Sequence, residues 1–130
     1  MSDPRYKKLA EVLTGYSTAL KKGDTVLFDV TDTPDAFAVE LVRAARKRGA
    51  IPLVETRSGR VGREMLMNTS EQHSKTVRDI ELNRMKKCDA YVAVRGSHNA
   101  TENSDIPSDN LSMCSRTLRP VLNYRVNKTR

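Results

Sequence analysis

At 130 residues the chain has room for one α/β-sized domain and little for two, and folding can bury about two-thirds of the surface the unfolded chain exposes. Apolar residues at 38%, charged residues at 30%, aromatic residues at 5% and a net charge of +7 describe an aliphatic core under a charged exterior, which excludes disordered, collagen-like and fibrous chains. The longest apolar runs, around Val26–Phe28 and Ala90–Val94, fall far short of the roughly 20 residues that cross a bilayer, and Met-Ser-Asp-Pro-Arg at the start carries no apolar secretion segment, so a cytoplasmic location is expected.

From Pro4 to Leu20 the residues Leu9, Val12, Leu13, Tyr16 and Leu20 keep helical spacing, and Lys21-Lys22-Gly23-Asp24 supplies cations and a left-handed glycine to stop the helix. Thr25–Val30 is a near-continuous apolar run, as in a strand buried on both faces. Thr33 is expected to cap the next helix, with Pro34 at its first position, Asp35 in its first turn and Ala38, Leu41, Val42 and Ala45 inward; Gly49 ends it. Ile51–Glu55 predicts a second strand, which Pro52 confines to an edge or a terminus because it has no N–H to donate. A short helix over 62–67 follows the Ser58-Gly59 loop. Thr69 and Gln72 have capping-box spacing and open a helix whose inward stripe is Val77, Ile80, the Arg84 stem and Cys88.

Ala90–Arg95 predicts the third strand. Gly96–Asn110 changes to Ser, Asn, Thr, Asp and Pro, a loop of about fifteen residues, a length usually kept for function. Asp109 is expected to cap a last helix with Leu111, Cys114, Leu118 and Leu122 inward, which Pro120 kinks or ends near Arg119; Arg125–Arg130 then forms a cationic tail. The alternation implies right-handed crossovers and an α/β fold: a three-layer α/β/α arrangement on a small, mostly parallel sheet, Rossmann-like in its layering, over a single domain of residues 1–130.

The chemistry is sparse. A dinucleotide site needs glycines at the first strand-to-helix turn, and residues 29–35 hold none, only Asp29, Asp32 and Asp35, whose spacing also lacks the alternate ligands and turn glycine of a calcium loop. Capping and solvated roles suit those carboxylates better than a cation site. His73 and His98 stand apart, and Cys88 and Cys114 lie without paired spacing on predicted helices, as buried free thiols would; no catalytic or metal-binding set emerges. Lys21-Lys22, Arg46-Lys47-Arg48 and Lys86-Lys87 fall at predicted helix C-termini, where the dipole favours cations, and this weakens a nucleic-acid reading of the basic charge. Open parallel sheets present the carboxyl ends of their strands to ligands, so the polar residues after the third strand, Arg95, Asn99, Glu102, Asn103 and Asp105, are the candidate substrate-cavity residues.

Two stretches carry a resemblance. Asp3-Pro4-Arg5 through Lys8-Leu9-Ala10, Tyr16-Ser17, Leu20-Lys21 and Gly23-Asp24 resembles the start of the aminopeptidase T family of thermophilic-type metallo-aminopeptidases. The run from Asp89 to Ser97, then Asn99, Glu102, Ser104 to Pro107 and Leu118 to Leu122, resembles a later part of the same family. The resemblance implies a cytosolic, homodimeric exopeptidase that removes N-terminal residues from peptides with two divalent metal ions, zinc, cobalt or similar. In that family the N-terminal α/β domain precedes a larger domain with the Glu, His, Tyr and Asp ligands. This chain would then be the non-catalytic N-terminal domain, inactive alone and without metal ligands of its own, in which Glu102 or Asp105 could hold a substrate's α-ammonium group. A free-standing basic α/β module that binds nucleic acid or acidic partners, and a small-ligand sensor using the same strand ends, are the alternatives.

Overall fold

The computed structural model describes residues 3–96 and 106–129, and their side chains apart from 126–128. In chain order the elements are α1 (Pro4–Val12), a π-helical turn (Leu13–Ser17), β1 (Thr25–Thr31), α2 (Asp35–Lys47), β2 (Ile51–Arg57), α3 (Gly59–Met67), α4 (Glu71–Met85), β3 (Ala90–Arg95), α5 (Ser108–Thr117) and α6 (Arg119–Lys128). The contacts divide these into two compact units, one formed around residues 3–57 and 88–96, the other around 58–87 and 106–129.

The first unit holds the sheet. Its order is β2-β1-β3 and both pairings are parallel, which is the α/β arrangement the alternating pattern predicts. Val26, Phe28 and Val30 of β1 project to one face, where they form a core with Ala90 and Val92 of β3 and with Phe37, Ala38, Leu41, Ala44 and Ala45 of α2. Alternation sends Leu27, Asp29 and Thr31 to the other face. β2 is an edge strand, as Pro52 requires, and β3 spans the residues expected of it.

Asp3 caps α1 by accepting the Arg5 N–H, and Pro4 occupies the first turn. The expected helix to Leu20 stops early. After Val12 it widens into the π turn, where the Thr14 hydroxyl donates to the Ala10 carbonyl and the hydroxyl of the C-cap residue Thr18 donates to the Leu13 carbonyl. Ala19 takes a positive φ of 47°, and Gly23, at 89°, supplies the left-handed position expected there. The stripe holds in part: Leu20 is buried and Leu13 packs on the core as expected, but Leu9, Val12 and Tyr16 are exposed, and Ala10 and Thr14 are buried instead. Small side chains let α1 approach α2 closely, with the Tyr6 ring 5.6 Å from that of Phe37 and tilted 47° to it.

Other boundaries shift for local reasons. Pro34, not Thr33, is the N-cap of α2, so the Thr33 hydroxyl falls outside the helix and is buried without a hydrogen bond. In the second unit Ser58 caps α3, which begins three residues before the expected start. Ser70 rather than Thr69 caps α4 by accepting the His73 N–H, and the side α4 buries is Ser74 and Met85 while Ile80 is exposed. Cys88 lies beyond the end of α4, buried, and Cys114 is half-buried on α5; neither is in a disulfide. Pro107 rather than Asp109 caps α5, which stops close to Arg119 as Pro120 demands, and a further helix, α6, with Pro120 in its first turn runs from Arg119 into the stretch from Arg125 where a tail was expected. There Val121 is buried and Leu122 exposed, and Arg125 reaches Glu81 at 3.4 Å.

Candidate functional site

Strand order makes the carboxyl end of the sheet the place to look. The chain leaves β1 toward β2 on one side and reaches β3 on the other, so a switch point lies between the exits of β1 and β3. Asp32 follows β1 with φ 53°, a left-handed conformation that Asp tolerates better than most residues, and its N–H bonds the Arg57 carbonyl at 3.0 Å. Gly96 follows β3 and donates to the Thr31 carbonyl at 2.8 Å. A Cβ on Gly96 would collide with the Asp32 carbonyl oxygen, so the close approach of the two exits requires glycine there.

One step back along the strands, three side chains from three strands meet on one face. Arg57 Nε donates to Asp29 Oδ1 at 2.6 Å, and the Tyr91 hydroxyl donates to Asp29 Oδ2 at 2.8 Å. The Asp29 side chain is only 12% exposed, the Arg57 side chain 36%. Arg95 is exposed at the end of β3 and pairs in register with Thr31, as does Arg57 from the other side, so two guanidiniums flank the end of the central strand. This edge can take an anionic or carbonyl group from solvent while Asp29 holds Arg57 in place.

Of the residues expected to line a substrate cavity, Arg95 is at this edge, and Asn99, Glu102, Asn103 and Asp105 lie outside the described residues, as does His98. The carboxylates of the first loop do not converge: Asp29 is bound by Arg57 and Tyr91, Asp32 forms the strand exit, and Asp35 stands in the first turn of α2. His73 is exposed in the first turn of α4. Sequence reasoning passed over Arg57 and Tyr91, and strand alternation was the one signal that pointed to them: both share the parity of Asp29 once the register is known.

The model of the thermophilic metalloprotease (M29) family matches residues 2–130. The chain belongs to that family. Among solved structures, this M29 chain is similar to wild-type AmpT from Thermus thermophilus, with a TM-score of 0.70 and 20% identity over 93% of the chain, a likeness of fold. It spans 32% of the AmpT chain. Comparison with curated proteins finds no match. The family name implies metal, and the described residues of the M29 chain do not fit one: no three His, Cys, Asp or Glu side chains gather among them, and both oxygens of Asp29 are engaged. No described helix is long and apolar enough to cross a membrane.

Proposed function

We propose that this chain is the N-terminal, non-catalytic part of a cytoplasmic, homodimeric metal-dependent aminopeptidase that removes N-terminal residues from peptides. The family match over residues 2–130, alongside a fold that covers about a third of AmpT, carries this reading. Its role there is to wall the substrate cavity with the carboxyl end of the sheet. The two guanidiniums at that end, Arg57 and Arg95, suit the carbonyls or the carboxylate of a short peptide, and Glu102 or Asp105 suits its α-ammonium group. The metals and their ligands belong to sequence outside this chain.

Kinetics of the intact enzyme test the proposal. Arg95→Ala and Glu102→Ala are expected to raise KM about tenfold with kcat little changed, as loss of uniform binding does. Unchanged KM for both variants, and for Asp105→Ala, removes the cavity role. Peptide hydrolysis by the purified 130-residue chain would remove the non-catalytic assignment.

A further inference from the structure

β2 is an outer strand of the sheet, and its far side is open. Ile51 donates to the Asp24 carbonyl at 2.7 Å and Arg57 accepts from the Asp32 N–H at 3.0 Å, so with a period of two the backbone groups of Pro52, Val54 and Thr56 point away from β1. The outward row has carbonyls at all of these positions and N–H groups at Val54 and Thr56 alone. Pro52 guards one end of the edge against a further strand; Val54 and Thr56 carry no such guard.

Apolar side chains flank this row on both faces. On one, Val54 and Thr56 with α2 line an open groove of about 620 Å3, in which Val39 and Val54 are exposed. On the other, Ile51 and Leu53 are exposed, followed by Glu55 and Arg57. A helix laid along β2 would cover one face only. An added strand covers both and meets the backbone row as well.

Charge sets what such a strand carries. α2 leaves the carboxyl end of β1 and the chain returns to the amino end of β2, so α2 runs against both strands. Asp35 therefore lies toward the carboxyl end of β2, and Arg43 and Arg46 toward its amino end. Arg43 also donates to Glu40 at 3.2 Å, yet of the two only Arg43 lines the groove, and its side chain is 70% exposed. An antiparallel strand, the more stable pairing, brings its C-terminal half to the two guanidiniums. With its central residue opposite Val54, the residue two before faces Thr56 and Asp35, and the residue two after faces Pro52 and the arginines. The residue just after the centre lies on the other face, beside Leu53.

We propose that the α2–β2 edge takes an extended segment of another protein by strand addition, antiparallel to β2, with an apolar residue opposite Val54 and an acidic one two positions later beside Arg43 and Arg46. A second copy of β2 fits less well. Its Pro52 would stand opposite Thr56 and leave the Thr56 carbonyl unmet, whereas a segment free of proline meets every outward carbonyl. The proposal goes beyond the peptidase reading, and its readout is capture of a peptide by this chain rather than hydrolysis, so either can fail alone.

Fluorescence anisotropy of the 130-residue chain with a fluorescein-labelled, amidated Gly-Lys-Thr-Val-Val-Glu-Gly peptide tests it, at about 50 mM salt, where ion pairs are weakly screened. Half-saturation is expected below about 500 μM. Methylating the N–H of the first Val, which the Val54 carbonyl accepts, should weaken binding at least about tenfold. Methylating that of the second Val, which points away from β2, should change it by less than about threefold. Arg46→Glu should weaken the probe at least about fivefold, and a probe with Lys in place of its Glu should bind this variant better than it binds the parent. No binding by about 500 μM overturns the proposal, as do equal effects of the two methyl groups or a probe indifferent to Arg46→Glu. A chain that sediments as a dimer, and that Val54→Pro returns to a monomer, also overturns it, because the edge then belongs to a second copy.

Discussion

Asp29 accepts from two strands at once, and its partners differ in kind. Asp29→Asn keeps the shape but removes the charge that Arg57 sits against, in a site mostly out of water, so a loss of about 1–2 kcal/mol is expected. Tyr91→Phe removes one neutral donor and should lose about 1 kcal/mol. Urea unfolding measures both; two variants as stable as the parent would make this cluster a surface ornament. Asp3 behaves otherwise. The Arg5 side chain, hydrogen-bonded to it, holds its carboxyl below the usual aspartate value. Because that value is depressed in the folded state, the contribution of Asp3 to α1 is present above the ordinary carboxylate pKa and fades as pH falls through the depressed one. A carbon-13 titration should find Asp3 ionising below the ordinary aspartate range, and Arg5→Gln should return it toward that range. An Asp3 unmoved by Arg5→Gln would show that the guanidinium is not the cause.

At the scale of elements, burial rather than size decides what each helix contributes. Leu41 is fully buried at the centre of α2, so Leu41→Ala should destabilise by about 2–5 kcal/mol. Leu9 on α1 is 47% exposed, and Leu9→Ala should stay within about 0.5 kcal/mol despite the same chemical change. Equal effects of the two would contradict the packing of α1 on α2. The contrast also explains what the sequence made legible. A strand buried on both faces appears as an unbroken apolar run, and β1 was plain for that reason; β3 showed the same apolar run although only Ala90 and Val92 are buried, and Pro52 marked the edge position of β2. Helix stripes judged from large side chains held only in part: Leu20 and Cys88 are buried as expected, but Leu9, Val12, Tyr16 and Ile80 are exposed, and Ala10, Thr14 and Ser74 are buried in their place because small residues bring backbones together. The Asp29, Arg57, Tyr91 cluster was hidden for a different reason. Its members are 28 and 62 residues apart along the chain and meet only through register, which hydrophobic pattern alone does not supply.

For the whole molecule, charge and donor chemistry point in separate directions. Arg46 and Lys47 do stand in the last turn of α2 and Arg84 in that of α4, where cations complement the dipole, so part of the +7 has a structural reason. Arg48 adds another by donating to the Leu20 carbonyl at 2.9 Å and closing the turn after the π helix. Among the described residues metal has no comparable foothold. A structural ion stabilises a fold by binding donors that are scattered in the unfolded chain, and chelation then unfolds it. Among the described residues no such donor set exists, so the folding of this chain should be independent of the metals its family uses. Thermal melts with EDTA, and with added zinc or cobalt, should agree within about 1 °C. A chelator-induced drop of more than about 3 °C would place metal ligands in this chain outside the described residues, and the division between a scaffold here and chemistry elsewhere would have to be redrawn.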